Sequence, residues 1–354
     1  MTHSPDVIIV GAGIVGAACA YELAQAGARV EVIDSGIPGG GATAAGMGHL
    51  VVLDDNEAEL ALTKLSVELW HKLAKELPRA AEFWPCGTLW IAADDVELAG
   101  ANTKLEVYQR HGLKAELLDE RQLYEAEPNL RPGLAGGLVA GQDAVVYAPV
   151  ATRFLLEQAK AKVTRAVVKD LDELKAGAVV CATGALTREL VPGLAVRPRK
   201  GHLAITDRYP GFARHQLVEL GYLQSAHGEG SESVAFNVQP RPTGQLLIGS
   251  SRQYDVETAS IDHEILRRML ERAFAYMPGL RECRVVRTWT GLRASTPDKL
   301  PVIGRLRGNV YLATGHEGLG VTTSLGTARI LAAAVLGWPS PIPAEPYRVE
   351  RFDD

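Results

Sequence analysis

The chain contains 354 residues, of which 47% are hydrophobic and 22% are charged, and its formal net charge at pH 7 is −5. This balance is typical of a globular protein, and the length exceeds that of one average domain, so we expect two lobes. The mild negative charge, without a Lys/Arg-rich block, excludes a protein whose main partner is nucleic acid.

The four cysteines, Cys19, Cys86, Cys181 and Cys283, show no C-x-x-C spacing, which argues against a zinc ribbon or a redox dithiol. We find no cluster of metal ligands and expect no metal. The apolar run at residues 7–20 is not preceded by Lys or Arg, so we do not expect a targeting peptide. No apolar run is long enough to span a membrane. We expect a cytoplasmic protein, and a peripheral contact with the inner face of the membrane is left open.

The first elements in chain order form a strand–helix–strand unit. Val7–Val10 is a short apolar run typical of a buried strand, and a glycine-rich turn covers residues 11–16. Helical spacing then runs from residue 14 to residue 25, and Gly27 ends it. Alternation at residues 29–33 predicts the second strand. Such a unit typically opens a doubly wound sheet.

The rest of the chain alternates between helical and strand patterns. Helices are predicted at residues 57–76, 96–111, 150–160, 261–275 and 319–336, and strands at residues 86–91, 178–182, 202–206, 233–239, 245–249 and 309–313. The segment after residue 111 contains Pro128 and Pro132 and is predicted to be rich in loops, and the Pro-rich residues from 338 onwards are predicted to lie extended on the surface.

These elements predict an α/β fold with two domains. A discontinuous Rossmann-like domain is expected at residues 1–82, 146–198 and 287–354. An inserted antiparallel-sheet substrate domain, of α+β character, is expected at residues 83–145 and 199–286.

The turn after the first strand carries a dinucleotide-binding pattern. Gly11, Gly13 and Gly16 form G-x-G-x-x-G between a strand and a helix, and Asp34 ends the second strand. Glycines there permit a tight turn, a close approach to a pyrophosphate and close helix–strand packing. An acid at the end of the second strand binds ribose hydroxyls and disfavours a 2′-phosphate, and therefore NADP.

Three further segments favour FAD over NAD. Residues 35–48 are rich in small residues, which lets a long cofactor pass close to the backbone. Residues 179–184 are an apolar strand that ends in Ala-Thr-Gly. Residues 313–320 lead from a strand into a helix, whose N-terminus can stabilise negative charge on a reduced flavin.

Five segments carry a resemblance to a known family, over nearly the whole chain: residues 10–16, 39–48, 181–185, 291–298 and 314–320. In these segments the chain resembles the D-amino-acid oxidase-like (DAO) flavoproteins, which include glycine oxidase, sarcosine oxidase and D-amino-acid dehydrogenases. Residues 41–50 and 315–320 are most similar to D-hydroxyproline dehydrogenases. Some relatives attach FAD to a cysteine just before the arginine motif, but here those positions hold Trp289 and Thr290. The resemblance therefore implies non-covalent FAD.

The resemblance and the glycine pattern together predict the residues that contact FAD. The segment between residues 159 and 176 is short for the usual adenine-contacting strands, so Val167 or Val168 is placed at that contact. The predicted FAD contacts are Gly11, Gly13, Ile14, Val15, Gly16, Asp34, Ser35, Gly41, Ala42, Thr43, Gly46, Met47, Val167, Val168, Ala182, Thr183, Gly184, Gly315, His316, Glu317, Gly318, Leu319 and Gly320.

Arg293 is the first candidate for the substrate site. The resemblance makes it the clamp on the substrate carboxylate, and a planar guanidinium suits that role because it forms two parallel charged hydrogen bonds. The alternative is a surface arginine paired with Asp298. Tyr222 and Tyr254 are candidates for a second contact to the substrate carboxylate or amine. For each tyrosine, an equal alternative is that its hydroxyl group only forms a hydrogen bond with neighbouring protein groups.

His49 and His202 are candidates to accept the proton of the substrate ammonium, because imidazole titrates near neutrality. A packing role is the alternative for each. His316 is expected to act through its backbone.

The function implied by the resemblance is FAD-dependent dehydrogenation of an amino or imino acid, by hydride transfer from the α-carbon to flavin N5. D-hydroxyproline or a similar D-imino acid is the expected substrate. Two alternatives stay open: a glycine- or sarcosine-type oxidase that releases peroxide, and a flavin electron-relay subunit of a heteromeric dehydrogenase. The expected partners are the small substrate and an electron acceptor, which is a quinone, oxygen or a partner subunit. Homo- and hetero-oligomers are both compatible with the sequence.

Overall fold

The structure is a computed structural model that describes residues 4–221, 232–254 and 256–352. Its strands, in chain order, are β1 (Val7–Val10), β2 (Val30–Asp34), β3 (His49–Leu50), β4 (Thr88–Ala92), β5 (Ala115–Asp119), β6 (Gly136–Ala140), β7 (Ala144–Val145), β8 (Lys162–Arg165), β9 (Ala178–Cys181), β10 (Arg197–Arg208), β11 (Gln216–Glu219), β12 (Glu232–Pro240), β13 (Gln245–Tyr254), β14 (Val285–Ser295), β15 (Val302–Arg307) and β16 (Val310–Thr314).

The α-helices within the same ranges are α1 (Ile14–Gln25), α2 (Gly41–Ala45), α3 (Glu57–Leu73), α4 (Asp95–Arg110), α5 (Glu120–Ala126), α6 (Ala148–Gln158), α7 (Thr187–Leu190), α8 (His263–Tyr276) and α9 (Gly320–Leu336). Short 3₁₀ turns lie at Arg79–Ala81, Gly184–Leu186, Pro278–Glu282, Glu345–Tyr347 and Val349–Phe352.

The N-terminal strand–helix–strand unit lies at the centre of a sheet with the strand order β15-β16-β9-β1-β2-β8. β1 pairs in parallel with both β2 and β9, and only β15 is antiparallel to its neighbour among these described strands. β1 and β9 are buried along their whole length. This explains their continuous apolar sequences, because a parallel sheet is covered on both faces. The predicted doubly wound arrangement is confirmed.

Helices α1, α3 and α9 pack together beside this sheet. Small residues allow the close approach of α3 and α9: a Cβ on Gly326 would lie 2.3 Å from Ser66 Oγ. Ser66 Oγ instead accepts a hydrogen bond from the Gly326 amide at 3.2 Å. Trp70 is fully buried and donates its indole N–H to Val321 and Thr322 carbonyls, both at 3.1 Å. These contacts fix the start of α9 relative to the sheet.

A second sheet has the strand order β14-β10-β13-β12-β11-β4-β6-β5. Its pairs are antiparallel, except that β4 and β11 run parallel. Helix α8 covers part of it with Met269, Ala273 and Tyr276, which share a core with sheet residues such as Phe236. The Asp262 side chain caps the N-terminus of α8, because it accepts hydrogen bonds from backbone amides in the first turn of this helix. The inserted antiparallel-rich layer is thus present.

Three expectations from the sequence differ from the structure. Residues 112–145 hold β5, α5, β6 and β7 rather than mainly loops. The C-terminal segment is anchored, because Tyr347 is buried and donates its hydroxyl to the Ala58 carbonyl at 2.6 Å. β14 pairs with β10 along its length and so belongs to the second sheet. We therefore propose that the last segment of the nucleotide-binding domain begins after Ser295 rather than at residue 287.

Within the described residues, no helix combines the length and the apolar character that are needed to cross a membrane.

Candidate functional site

A cavity of about 1150 Å³ lies between the two sheets. One wall of the cavity is formed by the carboxyl ends of β1, β2 and β9, to which Val10, Asp34 and Ala182 belong. The opposite wall is formed by one face of the second sheet. Pockets for single small ligands usually measure about 300–1,000 Å³. The greater volume fits a long cofactor together with a small substrate.

The glycine turn at the start of α1 has no room for side chains. A Cβ on Gly11 would lie 2.4 Å from the Ala182 carbonyl oxygen, and Gly11 has a φ of +110°. A Cβ on Gly16 would lie 1.9 Å from the Gly11 carbonyl oxygen. Gly16 does not line the cavity; it permits the packing of α1 against the turn.

Asp34 lies at the end of β2 and faces the cavity. Its carboxylate accepts hydrogen bonds from the Ala12 amide at 2.6 Å and from the Gly36 amide at 2.7 Å. These bonds hold the carboxylate beside the glycine turn, where a ribose hydroxyl would reach it. The ribose-binding role of Asp34 stays a prediction.

Nearly all of the predicted cofactor contacts line this one cavity. These are Gly11, Gly13, Ile14, Val15, Asp34, Ser35, Gly41, Ala42, Thr43, Gly46, Met47, Val167, Val168, Ala182, Thr183, Gly184, His316, Glu317, Gly318, Leu319 and Gly320. Gly16 and Gly315 do not. Gly315 shapes the turn before α9, with a φ of +78°, and a Cβ there would lie 2.6 Å from a methyl group of Thr296. Its contribution is to the turn rather than to a direct contact.

Arg293 extends from β14 into the cavity. Its guanidinium lies flat on Gly201 of β10, where a Cβ would be 2.4 Å from Nη1 and 2.6 Å from Nη2. Nη1 donates a hydrogen bond to the Ser251 carbonyl at 3.0 Å. Asp298, the alternative partner considered from the sequence, is bound by Arg351 at 2.6 Å instead. The arginine is thus part of the cavity wall and not a surface ion pair.

Glu317 lies beside Arg293 at the entry to α9. Its amide donates to the Ala294 carbonyl at 2.8 Å, and its carboxylate pairs with Arg199 at 2.8 Å. Burial raises the pKa of Glu317, but the charges of Arg293, Arg199 and Arg252 outweigh this effect, so its pKa lies below the usual value and the group is ionised. Three guanidinium groups, those of Arg293, Arg199 and Arg252, thus act on this one carboxylate.

His49 faces the cavity from β3, as predicted. Its Nε2 lies 2.7 Å from Thr88 Oγ1. Burial lowers the pKa of His49 to about 3, so the ring is neutral at physiological pH.

His202 does not face the cavity, and its predicted role as a proton acceptor is wrong. Side chains alternate along a strand, and Gly201 and Leu203 of β10 face the cavity. His202 therefore points to the other side. Its Nε2 accepts from the Asp262 amide at 2.9 Å, and its Nδ1 lies 3.0 Å from Ser251 Oγ. Its role is to fix the start of α8.

Of the two tyrosine candidates, only Tyr254 lies within the described residues. Tyr254 is not a lining residue, and its ring stacks on the Arg199 guanidinium, with 4.2 Å between Cζ and the ring centroid. It therefore supports Arg199, and a direct contact with substrate is not what the geometry favours. Tyr222 lies outside the described residues.

A match to a family model decides the family. The model of FAD-dependent oxidoreductases (DAO) matches residues 6–334. This chain belongs to the DAO family of FAD-dependent oxidoreductases. Its cofactor is FAD, and the earlier resemblance is confirmed.

Individual proteins show how the similarity extends along the chain. The bifunctional protein ThiO/ThiG of Trichormus variabilis is 26% identical over 98% of this chain, which spans 55% of that relative's length. The D-amino-acid oxidase of Streptomyces coelicolor is 29% identical over 92% of this chain and 94% of its own. The crystal structure of glycine oxidase from Geobacillus kaustophilus is similar with a TM-score of 0.88 at 25% identity, over 99% of both chains.

The DAO-family chain has residues that fit FAD. Gly11 leaves the turn open to a pyrophosphate, and α1 has no acidic residue in its first turn and no side-chain cap at Gly13. The helix N-terminus therefore offers N–H groups and positive potential to the phosphates. The first turn of α9 also lacks acidic residues and lines the cavity at Gly320 and Val321. Within the described residues, no group of His, Cys, Asp and Glu could hold a metal ion.

The residues with which the middle of the second sheet lines the cavity were not predicted from the sequence. Trp90, Val218 and Asn237 form a row across β4, β11 and β12 by their pairing register. All three line the cavity, as does Ser250 on β13. In the part of the chain that the structure describes, Trp90 Nε1 and Ser250 Oγ are buried without a hydrogen-bond partner. Only the register of the sheet brings these residues together, so no local sequence signal could have found them.

Substituting Gly201 with alanine is expected to displace the Arg293 guanidinium. The new Cβ would lie 2.7 Å from Cζ, well inside van der Waals contact. A misplacement of about 1 Å in a reacting pair can cost about 10²-fold in rate. We expect kcat/KM to fall at least tenfold (about 1.4 kcal/mol) while FAD content stays unchanged. The control is Gly100→Ala, where a Cβ would contact nothing within 4 Å. Unchanged kinetics in Gly201→Ala would show that the guanidinium position does not matter.

Proposed function

We propose that this protein oxidises the carbon–nitrogen bond of an amino or imino acid whose carboxylate binds Arg293. The observation that carries this proposal is the placement of Arg293: its guanidinium lies on Gly201 inside the cavity that also holds the FAD-binding glycine turn. A fork of parallel N–H donors suits a carboxylate. A substrate fixed there has its α-carbon within this cavity, whose lining is largely apolar.

FAD supplies the redox chemistry by accepting a hydride from the α-carbon. The chain's own residues position the substrate and set the charge around it. Arg293 orients the carboxylate, and the Ser251 carbonyl fixes the guanidinium. The guanidinium groups of Arg293, Arg199 and Arg252 and the carboxylate of Glu317 set this charge. We also propose that the backbone N–H groups of Gly318 and Gly320 would face a bound flavin, whereas the Leu319 N–H donates to the His316 carbonyl at 2.9 Å.

D-hydroxyproline or a similar D-imino acid is the substrate that we propose. The similarity of residues 41–50 and 315–320 to D-hydroxyproline dehydrogenases supports it.

The test is anaerobic mixing of the purified holoenzyme with a panel of compounds while the flavin absorbance is recorded. The panel contains cis-4-hydroxy-D-proline, D-proline, sarcosine, glycine and the L-prolines. We expect bleaching by the D-imino acids, fastest with the hydroxylated one. Bleaching by glycine and sarcosine alone would contradict the substrate proposal. Bleaching by no member, with FAD bound, would overturn the proposed activity and favour an electron-relay subunit.

A glycine- or sarcosine-type oxidase is the second candidate. The similarity to the Geobacillus kaustophilus glycine oxidase over 99% of both chains favours it. The two candidates differ in their electron acceptor. Stoichiometric peroxide release in air would support the oxidase, whereas reduction of a quinone dye without peroxide would support the dehydrogenase.

We further propose that FAD is bound without a covalent link. Trp289 occupies one of the positions where some relatives have a linking cysteine, and it donates its indole N–H to the Ala45 carbonyl at 3.1 Å. Acid precipitation of the holoenzyme is expected to release all flavin into the supernatant. Flavin that stays with the precipitated protein would contradict this.

A further inference from the structure

A short segment of the chain connects the glycine turn to the second sheet. It comprises residues 43–47, which we call the bridging segment, and all of them except Ala44 line the cavity. Thr43 Oγ1 accepts a hydrogen bond from the Ile14 amide at 3.0 Å, and Ile14 is the first residue of α1. One end of the bridging segment is therefore fixed beside the turn to which we assign the pyrophosphate.

Two side chains of the second sheet hold the other end of the bridging segment through its backbone carbonyls. Trp289 of β14 donates its indole N–H to the Ala45 carbonyl at 3.1 Å. Gln239 of β12 donates its side-chain amide to the Met47 carbonyl at 2.7 Å. In the sheet, β10 and β13 lie between β14 and β12. The bridging segment is therefore bonded to strands on both sides of this central pair.

Two glycines bring the bridging segment and the Arg293 guanidinium onto neighbouring positions of the sheet. Gly291 of β14 lies directly opposite Gly201 of β10, and a Cβ on Gly291 would lie 2.5 Å from Ala45 Cβ. The Ala45 methyl group thus rests on β14 as the guanidinium rests on Gly201. Opposite residues of two antiparallel strands point to the same face, and their Cα atoms are about 4.5–5.5 Å apart. Ala45 and the guanidinium are therefore neighbours on one face.

Strand β14 relates these contacts to one another. Residues 288–295 pair with β10 without a register shift. Trp289, Gly291 and Arg293 are alternate residues of this stretch, so their side-chain positions share one face of the sheet. A rise of about 3.4 Å per residue places the Cα atoms of Trp289 and Arg293 about 14 Å apart. One strand thus holds both the donor to the bridging segment and the proposed carboxylate clamp.

We propose that Trp289 and Gly291 are positioning residues that set the distance between bound FAD and a substrate held by Arg293, which rests on the function proposed above. The bridging segment includes the predicted FAD contacts Gly46 and Met47. A reaction in a bound complex requires the reacting atoms to lie about 3–3.5 Å apart, and a misplacement of about 1 Å can cost about 10²-fold in rate. A shift of the bridging segment would therefore slow flavin reduction while FAD and substrate both stay bound.

The variant Trp289→Phe removes the indole N–H and keeps an aromatic ring. The Ala45 carbonyl loses this donor, so we expect the bridging segment to shift. The limiting rate of flavin reduction is expected to fall about tenfold, and the Kd for substrate to stay within about twofold of the wild type, because Arg293 is untouched. The matched control is Trp338→Phe, since Trp338 is 55% exposed and does not line the cavity. This control should leave the rate and the Kd unchanged.

A size exchange between Ala45 and Gly291 tests the packing contact. Gly291→Ala places a Cβ 2.5 Å from Ala45 Cβ, and we expect a loss of about 10²-fold in the limiting rate. The next atom near that Cβ is Ala45 Cα at 3.8 Å, which is an ordinary van der Waals distance. The double variant Ala45→Gly/Gly291→Ala therefore removes the clash. Its rate is expected to return to within about threefold of the wild type, whereas general damage to β14 would not be repaired by a second substitution.

The experiment is anaerobic stopped-flow reduction of each holoenzyme by the best panel substrate at several concentrations, which separates the limiting rate from the Kd. The FAD content, the Kd for FAD and the visible circular dichroism of the bound flavin are recorded without substrate. We expect Trp289→Phe and Gly291→Ala to bind FAD with an altered dichroism band, and the double variant to restore the band of the wild type.

Wild-type limiting rates and dichroism in both single variants would overturn the positioning role, as would a double variant that behaves like Gly291→Ala alone. If Gly291→Ala does not fold, Trp289→Phe and its control decide. Failure of every panel member to reduce the wild type would overturn the proposed function, and the dichroism of the variants then decides whether Trp289 and Gly291 position FAD.

Discussion

Replacing Arg293 with alanine is expected to lower kcat/KM by about 10²- to 10³-fold while leaving FAD bound. Removing one partner of a buried, hydrogen-bonded charge pair costs about 2–5 kcal/mol, and each 1.36 kcal/mol corresponds to about tenfold in rate. The substrate carboxylate would then enter the cavity without its donor pair. The α-carbon would also lose its fixed position, so kcat is expected to fall together with a rise in KM.

Two further variants make this result specific. Arg293→Lys keeps the positive charge but loses the planar pair of donors. We therefore expect its kcat/KM to stay nearly as low as that of Arg293→Ala. Arg208→Ala removes an exposed arginine from β10 and should have no effect. Flavin content, measured by absorbance after denaturation, separates substrate binding from cofactor loss. If Arg293→Ala retained the wild-type kcat/KM, the carboxylate would have to bind elsewhere.

Replacing Gly11 with alanine is expected to abolish FAD binding, so that the protein purifies colourless. The new Cβ would lie 2.4 Å from the Ala182 carbonyl oxygen and 2.7 Å from its carbon, and both are backbone atoms that cannot rotate away. The φ of +110° adds strain of about 1–3 kcal/mol for any residue with a side chain. The turn would have to move away from β9, and the approach of the pyrophosphate would be lost.

The variant Gly27→Ala separates the effect of backbone strain from the effect of the steric clash that an alanine at residue 11 would cause. Gly27 has a φ of +92°, but a Cβ there would meet nothing within 4 Å. This variant is expected to lose about 1–2 kcal/mol of stability and to keep a full complement of FAD. Differential scanning fluorimetry and flavin-to-protein ratios measure the two effects. A fully loaded Gly11→Ala protein would contradict the assigned role of the glycine turn.

The sequence predicted the nucleotide-binding half well because its signals are local. β1 at Val7–Val10 and α1 at Ile14–Gln25 appear as predicted. A buried parallel strand has a continuous apolar sequence, and a tight turn requires glycine, so both features can be seen without knowledge of the partners. The same reasoning located Asp34 at the cavity.

The substrate half was harder to predict because its features depend on pairing between distant strands. His202 looked like a candidate base, but only the positions of Gly201 and Leu203 in β10 show that it faces away from the cavity. β14 was missed, since it is an edge strand of the second sheet with mixed burial and no clean alternation.

The most direct test of the central claim compares a substrate with the same amine lacking its carboxylate, in the wild type and in Arg293→Ala. D-proline and pyrrolidine are such a pair. We expect the wild type to be reduced by D-proline about 10²-fold faster or more than by pyrrolidine, because only D-proline engages the guanidinium. Arg293→Ala should lose most of this preference through slower reduction by D-proline. An undiminished preference in Arg293→Ala would contradict the assignment of Arg293 as the carboxylate clamp, and with it the account of this cavity.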